Sequence, residues 1–280
     1  MKKPPRRPME RGVSLLPSIF TVGTLACGFY CLLSTLRGVQ ALTSGGPGEA
    51  AIDGFDHAAR AIGWAVVFDG LDGRIARMTR TTSNFGREFD SMADVVTFGL
   101  APAILAYAWG MRWLTLDAAP EWALRLQPLS WIICFAFLIC GAGRLARFNL
   151  RSSSAAQTDR RFFIGMPIPG AAGLIAAVVH WAKEPLGNPY WGIAWMAVLA
   201  LLAFLMISRI RYLSFKSLDL RRRRPYVVVV VIGLMAWSIF LYSEYVLLLI
   251  ASLYTISGLF YRALGRPQSP SPQPSEAGAV

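Results

Sequence analysis

Long apolar runs alternate with short basic stretches along this chain, and the run lengths set its architecture. Apolar segments extend over Val13 to Leu36, His57 to Met78, Asp90 to Trp113, Leu129 to Arg147, Phe163 to Trp181, Trp191 to Ile210, Pro225 to Tyr242 and Tyr245 to Phe260. A helix needs about 20 residues to cross a bilayer core, so the pattern predicts an all-α polytopic membrane bundle of about eight transmembrane helices. The first run resembles a secretory signal followed by a small-residue site at Val39-Gln40-Ala41. Its apolar stretch is too long for that and more spans follow, so it reads as an uncleaved first span. Residues 1–12 form a basic segment whose prolines oppose a long helix, and Arg37 to Asp56 reads as a Gly/Ser-rich loop. Residues 13–265 make one membrane-embedded domain, and the Pro/Ser-rich stretch 266–280 reads as a disordered tail.

Composition agrees: 55% of the 280 residues are hydrophobic and only 16% charged, which excludes a soluble globule. The net charge of +12 would suit nucleic acid, but its placement does not. Basic residues gather in alternate connections: Arg74, Arg77, Arg80 and Arg87, then Arg144, Arg147, Arg151, Arg160 and Arg161, then Arg209, Arg211, Lys216 and Arg221 to Arg224. The intervening connections hold only Arg37, Arg60, Arg112, Arg125 and Lys183. This asymmetry places the basic connections and both termini in the cytoplasm and leaves no role for a nucleic-acid partner. Arg221 to Arg224 read as an orienting cluster that also binds anionic membrane lipids. Cys27, Cys31, Cys134 and Cys140 have no ligand spacing and read as packing residues, and His57 and His180 stand isolated.

Four aspartates interrupt the apolar pattern. Asp69 and Asp72 are spaced i,i+3 and Asp90 and Asp94 i,i+4, so each pair shares one face of its helix. Counted from the turn near residue 82, Asp72 lies about as far before it as Asp90 lies after, Asp69 likewise matches Asp94, and an antiparallel hairpin brings the pairs to similar depth. Four clustered carboxylates repel one another in low dielectric, so they either protonate in part or hold cations. All-oxygen ligands suit Mg²⁺, Mn²⁺ or Ca²⁺, and two divalent ions balance four charges. Intramembrane acids also mark ion pathways. A cation or proton transporter is therefore an open alternative to an enzyme, and a non-enzymatic scaffold a third, although no comparable acids stand in the other spans.

The full pattern Asp69-x-x-Asp72-Gly73-x-x-Ala76-Arg77, eight residues, Gly86-x-x-x-Asp90-x-x-x-Asp94 resembles the signature of the CDP-alcohol phosphatidyltransferases. Asp94-Val-Val-Thr-Phe-Gly99, Gly143-Arg144-Leu-Ala-Arg147-Phe148-Asn149, Phe163-Ile-Gly165-Met-Pro167-Ile-Pro169 and Tyr212-Leu-Ser214-Phe-Lys216 are similar to that family's serine-accepting branch. Ser18 and Thr24 depart from it, standing where that branch has Asn. The resemblance implies a six-helix family core plus two further helices, in a homodimer of a bacterial inner-membrane enzyme with its active site facing the cytoplasm. It implies transfer of the phosphatidyl group of CDP-diacylglycerol to L-serine, with glycerol 3-phosphate, choline or inositol as alternative acceptors. It further implies Asp69, Asp72 and Asp90 as ligands of two Mg²⁺ or Mn²⁺ ions, with Asp94 as ligand or general base. Gly73, Ala76, Arg77 and Gly86 would bind CDP-diacylglycerol, and Arg144, Arg147 and Asn149 the acceptor or a phosphate.

Overall fold

The computed structural model describes residues 8–45, 48–79, 84–111, 121–153, 162–208, 210–213 and 225–263. Helices α1 (Pro8–Thr43) and α2 (Gly48–Thr79) run antiparallel as a long hairpin. Small residues let the two backbones meet: a Cβ on Gly54 would lie 2.7 Å from the Gly38 Cα. Close approach of this kind is how helices associate where burial from water contributes little. The connection is correspondingly short, which corrects the loop expected over Arg37 to Asp56. Its flanks are helical because Ala50, Ala51, Ala58 and Ala59 favour helix, and Phe55, Ala58 and Ala59 are buried against α1 and its neighbours. Helix α1 also begins at Pro8, inside the basic segment, since proline is tolerated in a first turn.

The third apolar run is one helical column in three parts: α3 (Asn84–Asp94), a π-helical turn (Val95–Leu100) and α4 (Ala101–Gly110). The π turn docks on α1, where the buried Thr97 donates from Oγ1 to the Thr24 carbonyl at 3.1 Å. After the short α5 (Glu121–Leu124) come α6 (Gln127–Ser153), α7 (Ile168–Ala182), α8 (Pro189–Ile207) and α9 (Pro225–Ala263). Two three-residue strands, β1 (Phe162–Ile164) and β2 (Arg211–Leu213), pair antiparallel with Phe163 opposite Tyr212. The fifth span therefore starts at Ile168 and not at Phe163. Gly165, at φ 81°, turns the chain out of β1, and Pro167 caps the helix that follows.

Five described stretches are long and apolar enough to cross a membrane: Ile19–Thr43, Phe85–Gly110, Gln127–Leu150, Pro189–Ile207 and Trp237–Gly258. Helix α7 is apolar but shorter, and α2 carries the charged residues of the motif. The seventh and eighth predicted spans lie within α9, where two helical segments meet at the non-helical Tyr242 (φ −134°, ψ 47°). The molecule is thus an all-α, multi-pass membrane bundle carrying one small strand pair. Its core lies around α4 and α7, with Phe98, Leu105, Trp109, Ile168, Ile175 and Leu199 buried. Phe29, Trp131, Phe204 and Phe240 face outward, as a lipid-facing perimeter requires.

A carboxylate cluster between α2 and α3

Helices α2 and α3 bring together Asp69, Asp72 and Asp90, each offering one carboxylate oxygen within 4.8 Å of the others. Oxygens ligating one hard cation at about 2.0–2.6 Å stand no more than about 5 Å apart, so this donor set fits a shared divalent ion. Asp72 is buried and the other two are half-buried. Thr21 on α1 donates to Asp72 Oδ2 at 3.4 Å, which ties the cluster to the first helix.

Asp94 stands outside that three-carboxylate set, one turn beyond Asp90 and at the last residue of α3 before the π turn. It is buried, and its Oδ1 has no hydrogen-bond partner among the described residues. The charges of Asp69, Asp90 and Asp72 bear on it, and so does that of Arg144 on α6. A π turn displaces the residues that follow it relative to a regular helix. Here it begins directly after Asp94 and is held by the bond between Thr97 and Thr24.

Arg144 is buried beside Asp94, with its Nε unpartnered among the described residues. Arg147 donates from Nη1 to the Ile207 carbonyl at 3.3 Å, while its Nη2 has no partner among the described residues. Asn149 lies elsewhere: its Nδ2 donates to Ser91 Oγ at 2.8 Å, on the face of α3 turned toward α6. Both line a groove of about 850 Å³ that also takes in Arg87, Met92, Val95 and Ala146 and none of the four aspartates. Gly86 is half-buried in the first turn of α3. Gly73, Ala76 and Arg77 fall in the last two turns of α2, and their side chains lie outside the described residues.

At the opposite end of the bundle is a polar network that reading the sequence alone misses. His180 is buried on α7, with Nδ1 on Asp56 Oδ1 of α2 and Nε2 at 2.9 Å from Ser243 Oγ of α9. Arg60 pairs with the second Asp56 oxygen at 2.8 Å, and Lys183 with Glu244 at 2.5 Å. The Glu244 carboxylate holds the exposed Lys183 ammonium above its usual range. His180 is 124 residues from Asp56, so no local spacing could have paired them.

The sequence profile of the CDP-alcohol phosphatidyltransferases matches residues 14–207. A Helicobacter pylori (strain ATCC 700392 / 26695) protein named CDP-diacylglycerol–serine O-phosphatidyltransferase is 38% identical over 159 residues, 55% of this chain and 59% of the relative. Proteins of the same name from Mycobacterium leprae (strain TN) and Bacillus subtilis (strain 168) are similar too. The first is 31% identical over 75% of this chain and 62% of its own length. The second is 30% identical over 73% of this chain and 93% of its own length. The chain thus spans about 59% of the Helicobacter relative and most of the Bacillus one.

Proposed function

The chain belongs to the CDP-alcohol phosphatidyltransferase family, and from that premise we propose that it transfers the phosphatidyl group of CDP-diacylglycerol to L-serine, giving phosphatidylserine and CMP. The observation that carries the reading is the convergence of Asp69, Asp72 and Asp90 with a buried Asp94 one turn away, whose Oδ1 has no hydrogen-bond partner among the described residues. These are the parts a phosphoryl transfer needs: a cation cradle and an adjacent base. Relatives in three bacterial genera bear the name of the serine enzyme, which favours serine over glycerol 3-phosphate, choline or inositol.

In this reading Asp69, Asp72 and Asp90 hold Mg²⁺ or Mn²⁺, two per site, with Asp94 available as a further ligand. When bound, such ions neutralise the diphosphate and stabilise the charge on the transferring phosphoryl group. Gly73, Ala76 and Gly86 leave room for the nucleotide along α2 and α3, and Arg77 binds its phosphate. Asp94 takes the proton of the serine hydroxyl as that oxygen bonds to the phosphorus bearing diacylglycerol. The bond from that phosphorus to the oxygen of CMP breaks, and CMP leaves with the electron pair. Arg144 and Arg147 face the acceptor, with Asn149 a further polar group on the same helix. The enzyme works as a homodimer in the bacterial inner membrane, with the aspartates opening to the cytoplasm where the basic connections lie.

The test is a panel of radiolabelled acceptors offered with CDP-diacylglycerol to the purified protein in detergent. Serine should become lipid-soluble with stoichiometric release of CMP. Labelling of another alcohol in its place would reassign the acceptor, and absence of CMP release with every alcohol would remove the transferase reading.

A further inference from the structure

Resting on that reading, we infer that Tyr212 and Tyr254 form the far wall of the acceptor pocket, and that Tyr212 joins Arg144 and Arg147 in receiving the acceptor's carboxylate. Both tyrosines lie beyond residues 14–207, the part of the chain that the family profile matches.

Hydrogen-bond accounting leads there. Among the described residues, the buried side-chain atoms without a partner are Ser34 Oγ, Asp94 Oδ1, Arg144 Nε, Arg147 Nη2 and Tyr212 Oη. Ser34 lies far along α1, near Gly54. The other four belong to one neighbourhood. The charge of Arg144 acts on Asp94, Arg147 and Tyr254, and the rings of Tyr254 and Tyr212 stand 5.6 Å apart at 40°. A buried donor or acceptor left without a partner is costly, and four in one place call for a common ligand.

The chemistry of the four specifies that ligand. Arg144 Nε and Arg147 Nη2 can only donate, and Tyr212 Oη can donate. Arg147 lies against Gly165 and the Ile207 carbonyl, at the foot of the strand pair that carries Tyr212; donors grouped in this way suit an anion, and guanidinium groups favour a planar carboxylate or a phosphate. Asp94, the proton acceptor in this reading, feels the charge of Arg144. A small molecule with a carboxylate at one end and a hydroxyl at the other satisfies all four atoms at once. A cationic alcohol such as choline offers the donors nothing.

The tyrosines are fitted closely into place. A Cβ on Gly258 would run into the Tyr212 ring, and one on Gly170 would come within 2.9 Å of Tyr254 Cε1. Tyr212 is fully buried and held by the β1–β2 pairing opposite Phe163. The strand pair, which has no other evident task, therefore sets the height of the Tyr212 hydroxyl.

The experiment measures steady-state kinetics of the full chain in detergent, varying L-serine and CDP-diacylglycerol separately, for wild type, Tyr212→Phe and Tyr254→Phe. Loss of one hydrogen bond to a charged ligand group should raise the KM for serine roughly tenfold or more in Tyr212→Phe. A smaller rise is expected in Tyr254→Phe, whose ring remains. In both variants the KM for CDP-diacylglycerol should stay within about twofold, which also reports an intact fold. Wild-type turnover of serine with its KM unchanged in both variants overturns this inference alone, as does a parallel rise in both KM values. Wild-type turnover of glycerol 3-phosphate or choline in place of serine, or no turnover at all, overturns the acceptor reading itself and the carboxylate assignment with it.

Discussion

Adding one methyl group at Gly28 should cripple the proposed phosphatidyl transfer, although Gly28 is no part of the carboxylate cluster. A Cβ built there lies 2.6 Å from Thr97 Oγ1 and 2.8 Å from the Thr97 Cα. Rotating the threonine relieves only the first contact, because the second is to backbone. Restoring an ordinary carbon–carbon separation of roughly 3.5–4.0 Å requires α1 and the π turn to part by about 1 Å. Overpacking of this kind costs about 1–3 kcal/mol, and the parting also strains the bond from Thr97 to the Thr24 carbonyl. Together these amount to about 2–4 kcal/mol. The catalytic effect should exceed the effect on folding, because the π turn begins directly after Asp94 and carries α3 with it. A displacement of about 1 Å in a reacting group can cost roughly 100-fold in rate. Gly23→Ala is the internal control, since its Cβ meets Phe68 Cδ2 at an ordinary 3.7 Å. The assay is CMP release at saturating substrates, beside thermal unfolding in detergent. If Gly28→Ala is as active and as stable as Gly23→Ala, the coupling between the π turn and the site is wrong.

Excess EDTA should abolish CMP release and Mg²⁺ or Mn²⁺ restore it, since the oxygens of Asp69, Asp72 and Asp90 converge within 4.8 Å; full turnover in chelator removes the metal assignment. Asp94→Asn should lower turnover by roughly 10²–10⁴-fold while leaving calorimetric CDP-diacylglycerol binding largely intact, whereas Asp69→Asn should lose binding and turnover together. Equal loss of binding in both would make Asp94 principally a ligand. His180→Ala should lower the melting temperature by breaking its bonds to Asp56 and Ser243, each worth about 0.6 kcal/mol on average between membrane helices. A melting curve that overlays wild type would mean that the network carries no stability. In a background with the native cysteines replaced, a cysteine at Ser153 should label from the cytoplasmic side and one at Ser44 from the other; labelling of both from one side contradicts the orientation.

What could be read from the chain alone was what spacing encodes. Asp69 and Asp72 share a face of α2 through their i,i+3 spacing, and α3 follows α2 closely in the chain, so Asp90 comes to meet them, while Asp94, a turn further on, stands outside the set. The apolar runs announced helices for the same reason, down to the break at Tyr242 that separates the last two. Features made by contact between distant segments were not visible. The π turn depends on Thr97 finding a carbonyl 73 residues earlier, and its own sequence, Val-Val-Thr-Phe-Gly-Leu, differs little from an ordinary apolar helix. Phe162–Ile164 looked like the start of a helix because three residues carry too little period to show a strand, and their partner lies at Arg211–Leu213. Asp56 and His180 each looked unremarkable until α2 and α7 came together.

Helix α9 touches the rest of the molecule at both ends of α7: Ser243 and Glu244 meet His180 and Lys183 at one, and Tyr254 and Gly258 meet Gly170 and Tyr212 at the other. It is also the last described helix to be synthesised. A nascent chain could assemble the three-carboxylate cradle once α3 had inserted, well before Tyr254 left the ribosome. In that interval it would lack Tyr254, whose ring packs against Tyr212. On the acceptor site proposed above, the order of synthesis makes completion of the Tyr254 side a late step in biogenesis, which follows assembly of the three-carboxylate cluster.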